Sequence, residues 1–68
     1  MKNERIAKLI NDYKKQINFY DDKINYLISQ IRNDRRKGLD YTLIAEEKKV
    51  VDAQRQRTIE FISDLESI

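Results

Sequence analysis

Eight apolar residues, Ile6, Ile10, Tyr13, Ile17, Tyr20, Ile24, Leu27 and Ile31, follow one another at alternating steps of four and three. That period, near 3.5, lays all eight along one face of an α-helix, and the alternation by two that a strand requires is absent. A stripe sustained over more than three heptads needs another helical face to bury it. The chain contains no Pro and one Gly, so little can interrupt a helix before Gly38.

The stripe stops where the chemistry changes. Arg32, Arg35, Arg36 and Lys37 supply cations to the negative end of a helix dipole. Gly38 follows in the place of a left-handed C′ residue. Asp40 is the expected N-cap of a second helix, with Leu39 and Ile44 as a hydrophobic staple around it. These signals predict helix 1 over about residues 3–37, a turn at 38–40 and helix 2 over about 41–67. A turn this short makes the helices antiparallel neighbours.

Helix 2 carries Leu43, Ile44, Val50, Val51, Phe61, Ile62, Leu65 and Ile68, with Glu47, Gln54 and Thr58 breaking the stripe. Folding about the turn is expected to pair Leu27 with Val51, Ile24 with Gln54, Tyr20 with Thr58, Ile17 with Phe61, Tyr13 with Leu65 and Ile10 with Ile68. A polar patch then falls at Tyr20, Gln54 and Thr58, and Met1 to about Lys8 overhang the end of helix 2. Residues 1–37 hold ten Lys/Arg and five Asp/Glu, a net of +5. Residues 38–68 hold four and seven, a net of −3, and the two halves sum to the +2 of the chain. Opposite net charges favour the hairpin. In a straight parallel coiled coil through helix 1, the flanking pairs Leu9–Lys14, Gln16–Asp21, Lys23–Ile28 and Gln30–Arg35 would include no opposite charges.

The expected fold is therefore all-α: one antiparallel, coiled-coil-like two-helix hairpin domain spanning residues 1–68. At 68 residues a single copy has little interior. Without Cys or His, neither disulfides nor thiolate and imidazole metal sites are available to staple it. Self-association is the remaining route, which predicts a homo-oligomer, a dimer first, closing into a four-helix bundle. The outline resembles plasmid copy-number regulators of the Rop type, which are helical hairpins that dimerise in this way. The likeness is one of architecture, and no motif carries their RNA-binding role over to these residues.

Candidate functional residues form two sets. Phe19 and Tyr26, seven apart, share a direction about 130° from the centre of the main stripe. With Leu9 and Ile28, which widen that stripe, they form a candidate interface for a second copy or an unidentified protein, since aromatic residues are favoured interface anchors. The bland alternative is a pair of amphipathic rings lying beside Lys15 and Lys23. The second set, Lys14, Lys15, Lys23, Arg32, Arg35, Arg36 and Lys37, is a candidate contact for an anion or nucleic acid. Its bland alternative is a solvated helix end, and the acidic second helix weighs against a strongly basic face.

The acidic groups Asp21–Asp22, Glu46–Glu47 and Glu60, Asp64 and Glu66 read as solvated faces. Adjacent helical residues diverge by about 100° and cannot act as one site. There is no nucleophile–base pair, phosphate loop or metal spacing, so neither enzymatic activity nor a cofactor is expected. No apolar run is long enough to span a membrane, and charges throughout residues 1–10 leave no signal-peptide core, which predicts a cytoplasmic protein. The wealth of Lys, Ile and Asn suits an AT-rich genome such as that of a low-GC bacterium or its phage. Three functions fit this sequence: a protein-interaction module (a regulator, inhibitor or adaptor), a nucleic-acid-binding hairpin on the basic residues of helix 1, and a structural oligomerisation element.

Overall fold

The computed structural model describes residues 2–68 as two helices packed against each other, α1 (Lys2–Lys37) and α2 (Thr42–Glu66). At 1.5 Å per residue the 36 residues of α1 measure about 54 Å, which accounts for the 55 Å length of the molecule. α2 has 25 residues, and the turn ties its start to the end of α1, so the first turns of α1 extend beyond α2. Met1, where the expected overhang begins, lies outside the described residues.

The end of α1 is a Schellman motif. Gly38 has φ +74°, its N–H donates to the Arg35 carbonyl at 3.2 Å, and the Leu39 N–H donates to the Asp34 carbonyl at 2.8 Å. Both bonds satisfy carbonyls that the helix end would otherwise leave open. A Cβ built on Gly38 would meet no atom within 4 Å, so glycine is required by its backbone angle and not by crowding.

The start of α2 differs by one residue from expectation. The Tyr41 carbonyl accepts the first helical bond, from the Ala45 N–H at 2.9 Å, so Tyr41 is the N-cap by backbone. Asp40 sits one residue ahead and still caps: its Oδ1 accepts from the Thr42 N–H at 3.0 Å and from Thr42 Oγ1 at 2.6 Å. An Asp carboxylate can bond the backbone two residues on, and this geometry moves the helix start by one without losing the satisfied donor. Leu39 remains exposed, so the expected staple buries little.

The seam is narrow. Among the described residues only Leu27, Val51, Ile62 and Thr58 are buried, with Leu27 and Val51 each 2% exposed. Half-buried Ile10, Tyr13, Ile17, Tyr20, Ile24 and Ile31 continue the α1 stripe as expected. The helix 2 stripe is rotated from the expected one. Its inward positions are Ile44, Lys48, Val51, Arg55, Thr58, Ile62 and Leu65, with Ile59 beside them. Gln54 is exposed, so it neither faces Ile24 nor joins the expected polar patch. Ile68 is 87% exposed and leaves Ile10 without the expected cover. Phe61 lies at the edge of the seam, its ring 6.1 Å from that of Tyr13, while Ile62 takes the inward place.

The rotation is affordable because the polar residues it turns inward have partners. Thr58 Oγ1 donates to the Gln54 carbonyl of its own helix at 2.9 Å. Arg55 Nε reaches Asp21 Oδ1 across the seam at 2.6 Å, and Lys48 Nζ reaches Asp52 Oδ2 at 2.8 Å. Lys23 Nζ lies 3.6 Å from Glu47 Oε1 on the other side. One cross-helix ion pair thus flanks the seam on each side. These groups are partly exposed, so each pair contributes about 1 kcal/mol or less and serves mainly to fix alignment.

Gly38→Val should destabilise the hairpin by about 1 kcal/mol or more, because a β-branched residue resists the left-handed region. Thermal or urea unfolding measures it, and unchanged stability would contradict the assigned turn. A second expectation concerns acid. The Thr42 hydroxyl, and then its N–H, hold the Asp40 carboxyl below its usual value of 3.8. A depressed carboxylate stabilises the folded state above that value, and its contribution disappears as pH falls through the lower folded value. Asp40→Asn should therefore remove part of the loss of stability between pH 4 and pH 2 (~two units) that the parent shows, as followed by helicity.

Candidate functional site

Two helices in contact leave two long sides open. Lys23–Glu47 and Tyr13–Phe61 define one side of the seam, and Asp21–Arg55 defines the other. Helical geometry assigns the remaining residues to one side or the other. The first side receives Leu9 and, toward its outer edge, Phe19 and Tyr26 from α1. From α2 it receives Leu43, Val50 and Phe61, with Ile68 just past its end. All seven are exposed, Phe19 and Tyr26 at 63% and 61%. Among the described residues the one other exposed large apolar side chain is Leu39 in the turn.

The aromatic residues are held in place on this face. The Phe19 ring meets Tyr20 edge-on, with centroids 6.0 Å apart at 64°. Gln30 Nε2 donates to Tyr26 Oη at 2.9 Å, which orients the ring along the helix surface. Tyr13 and Phe61 bridge α1 to α2 at 34°. The Asp21–Arg55 contact sets the level across the seam: Phe19 with Arg57, Tyr26 with Val50, and Leu9 within about one residue of Ile68.

Of the four expected interface residues, Leu9, Phe19 and Tyr26 come together. Ile28 does not. It is half-buried on the opposite side, because two residues from Tyr26 correspond to about 200° of helix rotation. The α2 half of the face was absent from the expected site. The exposed step of seven from Leu43 to Val50, running on to Phe61 and Ile68, was the available signal, masked by assigning Phe61 and Ile68 to the seam.

The opposite side carries a shallow groove of about 320 Å³ lined by Lys14, Ile17, Ile59, Ile62, Ser63 and Glu66. It continues toward Ala7, Ile10 and Asn11. Ile59 was not among the expected apolar positions of helix 2.

The basic set does not converge. Lys14 and Arg35 share one direction, Lys15 and Arg36 point about 100° further round, and Arg32 lies between. Lys23 and Lys37 point to the other side, and Lys23 is paired with Glu47. Asp21, Asp22 and Asp34 are interspersed along the same helix. Among the described residues no group of three or more His, Cys, Asp or Glu is placed to hold a metal ion, and no helix is long and apolar enough to cross a membrane.

No protein family matches this chain, and no curated protein and no solved structure matches it. The surface itself is therefore the basis for a functional reading.

For the basic set, the expected outcome with RNA or DNA is weak binding that vanishes at physiological salt. Neutralising Arg35 and Arg36 should flatten what salt slope exists, since each phosphate contact releases counterions. Filter binding over a salt series measures both. Tight, salt-graded binding would make nucleic acid the partner and displace the protein-interaction reading.

Proposed function

We propose that this chain is a non-enzymatic protein-interaction module, a small regulator, inhibitor or adaptor, whose working surface is the face formed by Leu9, Phe19, Tyr26, Leu43, Val50, Phe61 and Ile68. One of its partners is a second copy, with two hairpins closing into a four-helix bundle. The observation that carries this reading is the gathering of the exposed large apolar side chains on one side of a chain that is 38% charged. Scattered exposed apolar residues need no explanation, but seven gathered on one side and drawn from both helices, with the Lys23–Glu47 pair among them, favour an association surface. The thin seam adds to the case, because burying this strip supplies the apolar contact that a single hairpin lacks. A purely structural oligomerisation element would use the same face and differ only in having no further partner.

The double substitution Phe19→Ala with Tyr26→Ala should weaken association by about 2 kcal/mol or more if these rings are anchors, and leave helicity nearly intact. Leu27→Ala, in the seam, should reduce folding itself by roughly 2–5 kcal/mol. Sedimentation and circular dichroism separate the two effects. A double mutant that associates like the parent would refute the working surface.

A further inference from the structure

We infer that the second copy docks with the twofold axis parallel to the helices, so that α1 of each chain lies on α2 of its partner. This inference rests on the interaction face proposed above and adds the partner's orientation. Two hairpins can meet through that face about either of two twofold axes lying in the interface. An axis across the helices stacks α1 on α1 and α2 on α2, with the two turns at opposite ends. An axis along the helices stacks α1 on α2, with both turns at one end.

Charge decides between them. The first half of the chain is +5 and the second −3, so like-on-like stacking sets two strongly basic helices side by side and two acidic ones beside them. Helices pack 8–10 Å apart (~one Debye length at physiological salt), where such fields are only partly screened. The parallel axis instead gives every α1 two neighbours of opposite net charge, its own α2 and the partner's. Electrostatic complementarity of this kind selects orientation more than it adds affinity.

The parallel axis also brings apolar side chains of the two copies together. A twofold axis parallel to the helices permits no sliding, so residues that are level in one hairpin meet the same level in the other. Leu9 then faces the Ile68 position of the second copy, and Tyr26 faces its Val50 position. Phe19 lies over its Arg57 position, an arrangement suited to a cation–π contact. The like-on-like alternative can slide along the helices, and an axis between Asp22 and Lys23 would set Phe19 against Tyr26 of the second copy and bring Val50 near its Phe61, so charge is what separates the two arrangements.

The chain has no cysteine, so Leu39→Cys in the turn, away from the face, gives one spin label per chain. Pulsed dipolar spectroscopy on the full chain then reads the orientation directly. The expected distance is about 10–20 Å, from turns lying side by side. A distance near the 55 Å length of the molecule would overturn the inference and leave the interaction face standing. A chain that stays monomeric would also overturn it, with the face then serving a different protein. An unchanged distance distribution and dimer fraction in the Phe19→Ala, Tyr26→Ala background would show instead that the interaction face itself is wrong. Salt supplies a second readout. Raising it should weaken the dimer severalfold for α1 on α2, whereas stronger association would point to like-on-like stacking and overturn the inference.

Discussion

Two helices share a line of contact and enclose no volume, and every other feature of this protein follows from that limit. Leu27, Val51 and Ile62 with Thr58 are the whole of the buried set among the described residues. The side chains next to them are half-covered whichever way they turn. Alignment therefore passes to directional contacts at the edges of the seam: Asp21 with Arg55 on one side, Lys23 with Glu47 and Tyr13 with Phe61 on the other. Each is worth little alone. Together they set the level at which the helices run past one another, and hence which exposed residues share a surface.

The α1 stripe and the turn were legible in the sequence because local rules govern them. A 3.5-residue period admits one burial face, and Gly38 fits a left-handed C′ position without competing assignments. Asp40 was legible as a capping group, though not in its offset of one residue, which depends on how the Thr42 hydroxyl and N–H share one carboxylate oxygen. The face of α2 was not legible. Arg55 and Lys48 look outward-facing by composition, which favours Gln54 and Phe61 beside Thr58 as seam positions. In the folded chain a Lys or Arg stem can lie along the seam with its head at an acidic partner, and Thr58 satisfies its hydroxyl within its own helix. A small rotation of the helix separates the two readings, and only tertiary contacts select between them.

The same rotation governs the candidate site. Turning Ile62 inward sends Phe61 to the edge and Leu43, Val50 and Ile68 outward, and it is this that completes the strip begun by Leu9, Phe19 and Tyr26. Ile28 falls on the other side for the same geometric reason. Charges that look like one basic track in the sequence are distributed around the α1 cylinder, with acidic residues between them. Linear clustering is a poor guide to surface clustering on a helix, where neighbours in sequence diverge and residues seven apart converge.

The Schellman turn also sets an order of events. The helix–helix contacts nearest Gly38 close short loops, and those near Leu65 close loops of about fifty residues, an entropy difference that grows with the logarithm of loop length. The best-buried pair, Leu27 and Val51, stands on the turn side of the molecule, whereas toward the open end Ile62 is the one buried residue, beside half-covered Ile10, Tyr13 and Leu65. The hairpin thus closes like a zipper from one fixed end. Its far end, where the first turns of α1 run on without α2 beside them, is the last to form and the first to fray.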